Sequence, residues 1–169
     1  MQRVMIIGQP GSGKSWLARE LGRRWGLPVF HMDHIHWQSG WVERDRVEKN
    51  RLCHAVEAKD KWIFEGGHSA TYANRVARAD LLIWLDVPLL LRLWRVTWRC
   101  VTALGRERPD LPESCPERLA NLPEFWGFNW RTRVTGRARM AAVVEEARSG
   151  LCVVQLRNRI EVAAYLDTT

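Results

Sequence analysis

An α/β fold, with helices on both faces of a parallel sheet, is predicted by three observations. Five short apolar runs recur along the chain, at 3–7 (RVMII), 28–31 (PVFH), 62–65 (WIFE), 81–86 (LLIWLD) and 151–156 (LCVVQL). Helical periodicity fills most of the intervals, and strands alternating with helices form a parallel sheet buried on both sides. The 169 residues, 46% hydrophobic and 27% charged, suit a single globular domain spanning 1–169.

The first run is rich in β-branched residues and reads as a buried strand. It leads directly into Gly8–Ser15, GQPGSGKS. This fits G-x-x-x-x-G-K-[ST], the loop that wraps a nucleotide polyphosphate. Gly8, Gly11 and Gly13, with Ser12 between the last two, let the backbone curl inward and present its N–H groups as an anion nest. The following helix adds its positive end, Lys14 reaches the β- and γ-phosphates, and the Ser15 hydroxyl ligates Mg²⁺. Trp16, Leu17, Leu21 and Trp25 then recur at helical spacing, which supplies the strand–loop–helix context the motif requires.

Further helices are expected over 45–58, in a short turn at 71–77, and over a long region from 88 to 149. Asn158 begins a last helix, with Glu161 three residues on in a capping-box arrangement. The stretch 105–116 carries three prolines and mixed charge, and is expected to be a mobile loop or the hinge of a lid.

The crevice of such a sheet lies beyond the carboxyl ends of its strands. Asp33 follows the second strand, where a carboxylate can orient or deprotonate an acceptor hydroxyl or hold Mg²⁺ through water. Glu65 ends the third strand, a suitable place for an outer-shell Mg²⁺ ligand, so Ser15 and Glu65 form the candidate metal pair. Asp86 precedes Val87-Pro88 and is expected to cap a helix. His31, His34 and His36 match no standard zinc spacing. They are read as caps or substrate contacts.

Net charge is +7. From residue 92 to 139 there are ten arginines, five acids and no lysine, a local excess of five positive charges. Guanidinium forks suit close phosphate contacts. Arg92, Arg95 and Arg99 share one helix face, which sends Leu93, Trp94 and Trp98 toward the core. Arg92, Arg95 and Arg131 are candidate phosphoryl clamps. The ten tryptophans are expected mostly inside, with Trp37 and Trp41 placed to stack on a flat substrate.

No apolar run approaches the ~20 residues of a membrane span. No signal peptide is visible, and the four cysteines contain no C-x-x-C pair. A cytoplasmic location is expected.

The segments GQPGSGKSWLARELGRRWGLPVFHMDHIHW and WIFEGGHSATYANRVARADLLIWLDVPLLLRLWR, followed by the arginine-rich stretch, resemble the adenylate-kinase-like P-loop kinases. They look closest to the branch labelled DNA topology modulation proteins, through the D-x-I-x-W and L-D-x-P elements. The resemblance covers nearly the whole chain. It implies the P-loop NTPase fold, five parallel strands in the order 2-3-1-4-5, and a lid or insert around 99–135. It implies ATP and Mg²⁺ as cofactors. It maps Lys14 and Ser15 to the phosphate and metal contacts, Asp33 to the acid after strand two, and Arg92 and Arg95 to the helix leading into the lid; Gly8, Gly11, Ser12, Gly13 and Trp16 complete the candidate cofactor-binding set. Arg157 and Asn158 map to the loop near the adenine base. The chain departs from the family pattern at Glu65, where Asp is common, and at Gly67-His68, where Asn-Tyr is common in this branch. It also lacks the Phe-Pro-Arg that adenylate kinases carry after strand three.

The expected activity is transfer of the γ-phosphoryl of Mg-ATP to a small acceptor, either a nucleotide or a hydroxyl-bearing metabolite. The alternative is an ATP-binding regulator of DNA topology or another nucleic-acid-associated switch. The basic charge favours that alternative, and the absence of a helix-turn-helix, zinc-finger or RNP signature opposes it. A monomer and a homodimer are both compatible with the sequence.

Overall fold

The computed structural model describes residues 1–102, 105, 111–113, 115, 119–147 and 150–169. The hinge expected at 105–116, and with it the middle of the lid expected at 99–135, lies largely outside the described residues. The chain runs β1 (Arg3–Gly8), α1 (Lys14–Trp25), β2 (Val29–His31), α2 (Met32–His36), β3 (Trp37–Gln38), β4 (Val42–Glu43) and α3 (Arg46–Glu57). It continues through β5 (Trp62–Glu65), α4 (Tyr72–Arg78), β6 (Leu81–Leu85) and α5 (Leu89–Thr102). After a 3₁₀ turn at Leu119–Asn121 come α6 (Leu122–Arg131), α7 (Arg133–Ala147), β7 (Cys152–Leu156) and α8 (Arg159–Asp167).

Five strands form one parallel sheet in the order β2-β5-β1-β6-β7. Counted over the five predicted runs this is 2-3-1-4-5, as expected. The register sets Ile6 beside both Glu65 and Ile83, and Gly8 beside Leu85. The phosphate-loop glycine, Glu65 and the start of the Asp86 turn therefore emerge at one edge.

Period-two alternation divides the strand side chains between two cores. Val4, Ile6, Ile63 and Ile83 pack on Leu17, Ala18 and Leu21 of α1 and on Leu166 of α8. Met5, Ile7, Phe64 and Leu82 pack on Cys53 and Val56 of α3, Tyr72 of α4, and Val143 and Val144 of α7. Each such large apolar side chain contributes roughly 1.5–3 kcal/mol on burial. The Asn158 cap stands as predicted, and α3 has a cap that was not predicted. Asp45 accepts from Val47 and Glu48 N–H, and Asn158 accepts from Glu161 N–H.

Two expectations about tryptophan and α5 are corrected. Only Trp62 and Trp84 are buried; Trp16, Trp94, Trp98, Trp126 and Trp130 are exposed. On α5 it is Arg92, Val96 and Cys100 that face inward, while Trp94 and Trp98 are 61% and 59% exposed. The reason is what α5 packs against. Its inner face meets backbone carbonyls of the phosphate loop, Pro10 O and Ser12 O, which Arg92 and Arg95 satisfy with several N–H donors each where an indole has one. Among the described residues no helix is long and apolar enough to cross a membrane.

Candidate active site

Gly11 has φ +81°, and a Cβ there would lie 2.8 Å from the Arg92 carbonyl. Only glycine lets the loop lie this close to α5. The α1 ladder opens with Leu17 N–H donating to Gly13 O at 3.0 Å. That leaves the N–H groups of Lys14, Ser15 and Trp16 ahead of the ladder. No side-chain cap and no first-turn acid sits at this end. Ser12 is buried, and its Oγ has no partner among the described residues. The Lys14 ammonium donates to Gln9 O at 3.3 Å. Burial lowers the Lys14 pKa, against the opposing pull of Glu65 and Asp33. Unanswered donors and a desolvated cation thus surround one loop, the donor set a polyphosphate answers.

Glu65 is 2% exposed. Its Oε1 accepts the Ser15 hydroxyl at 2.9 Å and lies 2.8 Å from His31 Nδ1. Burial pushes the carboxyl up, but the His31 hydrogen bond, the Lys14 charge and the Ser15 bond outweigh it, so the pKa falls. The pair Ser15–Glu65, an ionised carboxylate joined to a hydroxyl beside the phosphate loop, fits a hard divalent cation. Sequence reading did not join His31 to Glu65, because the two are 34 residues apart.

Asp33 lies in the first turn of α2, a helix of five residues that the sequence reading missed. Its charge acts on Lys14 and on His36, so it stands between the phosphate loop and the segment that follows β2. Gly66 brings this about. Its φ is +104°, and a Cβ there would lie 2.5 Å from Met32 Cβ.

The arginines divide by role. Arg92 is 2% exposed and donates to Val87 O at 3.0 Å, Pro10 O at 3.3 Å and Asn129 Oδ1 at 2.7 Å. This makes it a tie between the loop, α5 and α6, in place of the clamp read from the sequence. Arg95 Nη1 donates to Ser12 O at 3.0 Å, which sets a guanidinium directly on the loop. Arg131 is exposed and folds back toward Gly127, and among the described residues no hydrogen bond joins it to the loop. Trp16 exposes 53% of its surface and offers the loop only its backbone N–H.

Arg157 lines a cavity of about 360 Å³ with Gln9, Asp86, Val87, Arg92 and Arg137. Asp86 is not the helix cap expected of it. Its two oxygens accept Arg137 Nε and Nη2 at 2.9 and 2.7 Å, and Gln155 adds a third bond at 2.9 Å. Gln9, an unassigned position of the motif, donates to Thr132 O and Arg133 O and so joins the loop to the α6–α7 junction.

No protein-family model and no curated protein matches the chain. Solved structures do. Shikimate kinase from Acinetobacter baumannii, in complex with shikimate, superposes with a TM-score of 0.60 at 16% identity, covering 99% of this chain and 90% of that one. Shikimate kinase from Bacteroides thetaiotaomicron gives 0.60 at 16%, over 99% and 95%. A sugar kinase from Janibacter gives 0.53 at 14%, over 99% and 93%. The fold is that of the small P-loop kinases. At these identities the likeness is one of architecture, and residue roles at the P-loop rest on the geometry above.

Proposed function

We propose that this chain is an ATP-dependent phosphotransferase that moves the γ-phosphoryl group of Mg-ATP to a small acceptor. The observation that carries the reading is the P-loop itself. Among the described residues a buried Ser12 hydroxyl without a partner, a desolvated Lys14 ammonium and a helix end without a side-chain cap converge on one loop. In this reading Gly8, Gly11, Gly13 and the N–H groups of Lys14 to Trp16 cradle the phosphates, and Lys14 reaches the transferring group. Mg²⁺ would be held by Ser15, with Glu65 in its outer shell, and would neutralise charge on the β- and γ-oxygens. Arg95 faces the developing charge from the loop's far side. Arg92 positions the loop, and Arg131 is left to act only on closure of the lid segment. The base and ribose take the cavity beside Arg157.

Asp33 orients the acceptor hydroxyl and accepts its proton. The new O–P bond forms as the bond from the γ-phosphorus to the bridging oxygen breaks, and ADP departs with that electron pair. The kinase folds of the superposed structures support this reading. The narrower likeness to the DNA topology modulation branch rests on Asp33-His34-Ile35-His36-Trp37 and Leu85-Asp86-Val87-Pro88. A cytoplasmic setting belongs to the same proposal.

The test is ADP release from Mg-ATP with and without a panel of nucleoside monophosphates and hydroxylated metabolites. One acceptor class should stimulate release, and Lys14→Ala should abolish the stimulated rate. Release that no acceptor stimulates contradicts the proposal.

A further inference from the structure

Lys49, on α3, is 6% exposed, yet among the described residues the only carboxylate bonded to it is Glu43, at 2.6 Å, whose side chain is 60% exposed. A buried ammonium is ordinarily matched by a buried anion, because desolvating a charge without a firm partner is costly. Here the partner stands on a hairpin of two-residue strands and can swing into water. Two imidazoles share the neighbourhood. His36 Nε2 lies 3.8 Å from the same Glu43 oxygen, and His68 Nε2 lies 2.6 Å from Asn50 Oδ1, next to Lys49 in sequence. Burial first, and then the Lys49 charge, hold both imidazoles below their ordinary pKa, so they stand beside Lys49 as neutral hydrogen-bonding groups.

The hairpin is itself under strain. Trp41 has φ +65°, rare for a bulky residue, and its buried indole Nε1 has no partner among the described residues. Its ring meets Trp37 edge-on at 5.5 Å, and Trp37 meets His36 in the same way at 4.5 Å. Asp33 shares the single-turn helix α2 with His36, and its charge opposes the burial that lowers the pKa of both His36 and Lys14.

We propose that Lys49, with His36 and His68 beside it, binds an oxyanion at the far end of the acceptor, a place that Glu43 holds when no acceptor is bound. The acceptor is then a small molecule with two features: a hydroxyl that meets Asp33 and a carboxylate or phosphate ester that meets Lys49. Trp37 and Trp41 belong to the same β3–β4 hairpin that carries Glu43. The inference rests on the phosphotransferase reading for the hydroxyl, and on the α3–hairpin geometry alone for the anion.

The experiment uses matched trios of neutral, carboxylate and phosphate-ester compounds: glycerol, glycerate and glycerol 3-phosphate; glucose, gluconate and glucose 6-phosphate. Binding is measured by calorimetry without nucleotide, and ADP release is measured in parallel. The anionic members should bind and the neutral ones should not, and the preferred anion tells carboxylate from phosphate ester. Lys49→Met should weaken anion binding roughly 10- to 100-fold, the worth of one charge-assisted hydrogen bond, and leave ATP binding unchanged. Glu43→Gln should tighten anion binding, because it removes the competitor; a merely structural ion pair predicts no gain. This second variant keeps the test open even where Lys49→Met does not fold. Anion binding without any ADP release sinks the kinase reading and upholds the site. Release stimulated equally by neutral and anionic members, or no anion binding at all, overturns the site.

Discussion

His31 Nδ1 lies 2.8 Å from Glu65 Oε1, the same oxygen that accepts the Ser15 hydroxyl at 2.9 Å. His31 thereby fixes the rotamer of a buried carboxylate whose other partner is a proposed Mg²⁺ ligand. Groups that orient a metal site from behind are worth 10- to 100-fold in metal affinity. His31→Leu should raise the Mg²⁺ concentration for half-maximal ADP release about tenfold. Nucleotide binding without metal should stay the same. A Mg²⁺ titration of the two proteins decides, and coincident curves would remove His31 from the site.

Lys14 gives a pH signature. Burial lowers its pKa below the ordinary 10.5, against the opposing effects of Glu65 and Asp33. Between the lowered value and 10.5 the unfolded chain holds more protons than the folded one. Stability of the ligand-free protein from this group therefore rises with pH through that window, and the burial cost is felt in full below it. Lys14→Met should be the more stable protein at neutral pH, with its advantage shrinking as pH approaches 10.5. Urea unfolding at a series of pH values measures the difference; an advantage independent of pH would contradict the account.

Gly66 couples stability to chemistry. With φ +104° and Met32 Cβ 2.5 Å from the site of any new Cβ, Gly66→Ala must strain the backbone or displace α2. The expected cost is about 1–3 kcal/mol in urea unfolding. Because α2 carries Asp33, turnover should fall further than ATP affinity does. Equal losses in both would show that α2 stays in place.

Arg75, on α4, is a buried tie against β5. It is fully buried, donates to Gly66 O at 2.9 Å and Glu57 Oε1 at 3.4 Å, and lies 3.7 Å over the Phe64 ring. Arg75→Leu leaves the Glu57 carboxylate buried without its cation, at a cost of about 3–5 kcal/mol. The double variant Arg75→Leu/Glu57→Leu should recover much of that loss. Thermal and urea unfolding of the three variants tests this, and failure of the second change to rescue the first would show that the charge pair is not the cause.

Much of the architecture was legible because it is local. The five apolar runs, the glycine loop and the Asn158–Glu161 cap are each signals within a few residues, and each stands in the structure where the pattern put it. The strand order followed from the family resemblance and holds. The α2 helix and the β3–β4 hairpin escaped because five- and two-residue elements carry no period. Their shape comes from Gly66 against Met32 and from tertiary contacts such as Trp41 N–H to Cys115 Sγ at 3.4 Å. Arg92, Arg95 and Arg99 were rightly placed on one face of α5, but periodicity does not say which face is inside. Backbone carbonyls of the loop drew the arginines in and left Trp94 and Trp98 outside. Asp86–Arg137 and His31–Glu65 join residues far apart in the chain, and only the fold brings them together.

The most direct measurement is mass spectrometry of the acceptor after incubation with Mg-ATP, comparing the protein with Lys14→Ala. The account predicts a phosphorylated acceptor, formed in step with ADP by the protein and absent with Lys14→Ala. ADP formed at the same rate with no phosphorylated compound across the panel would contradict phosphoryl transfer and leave hydrolysis as the activity of this P-loop.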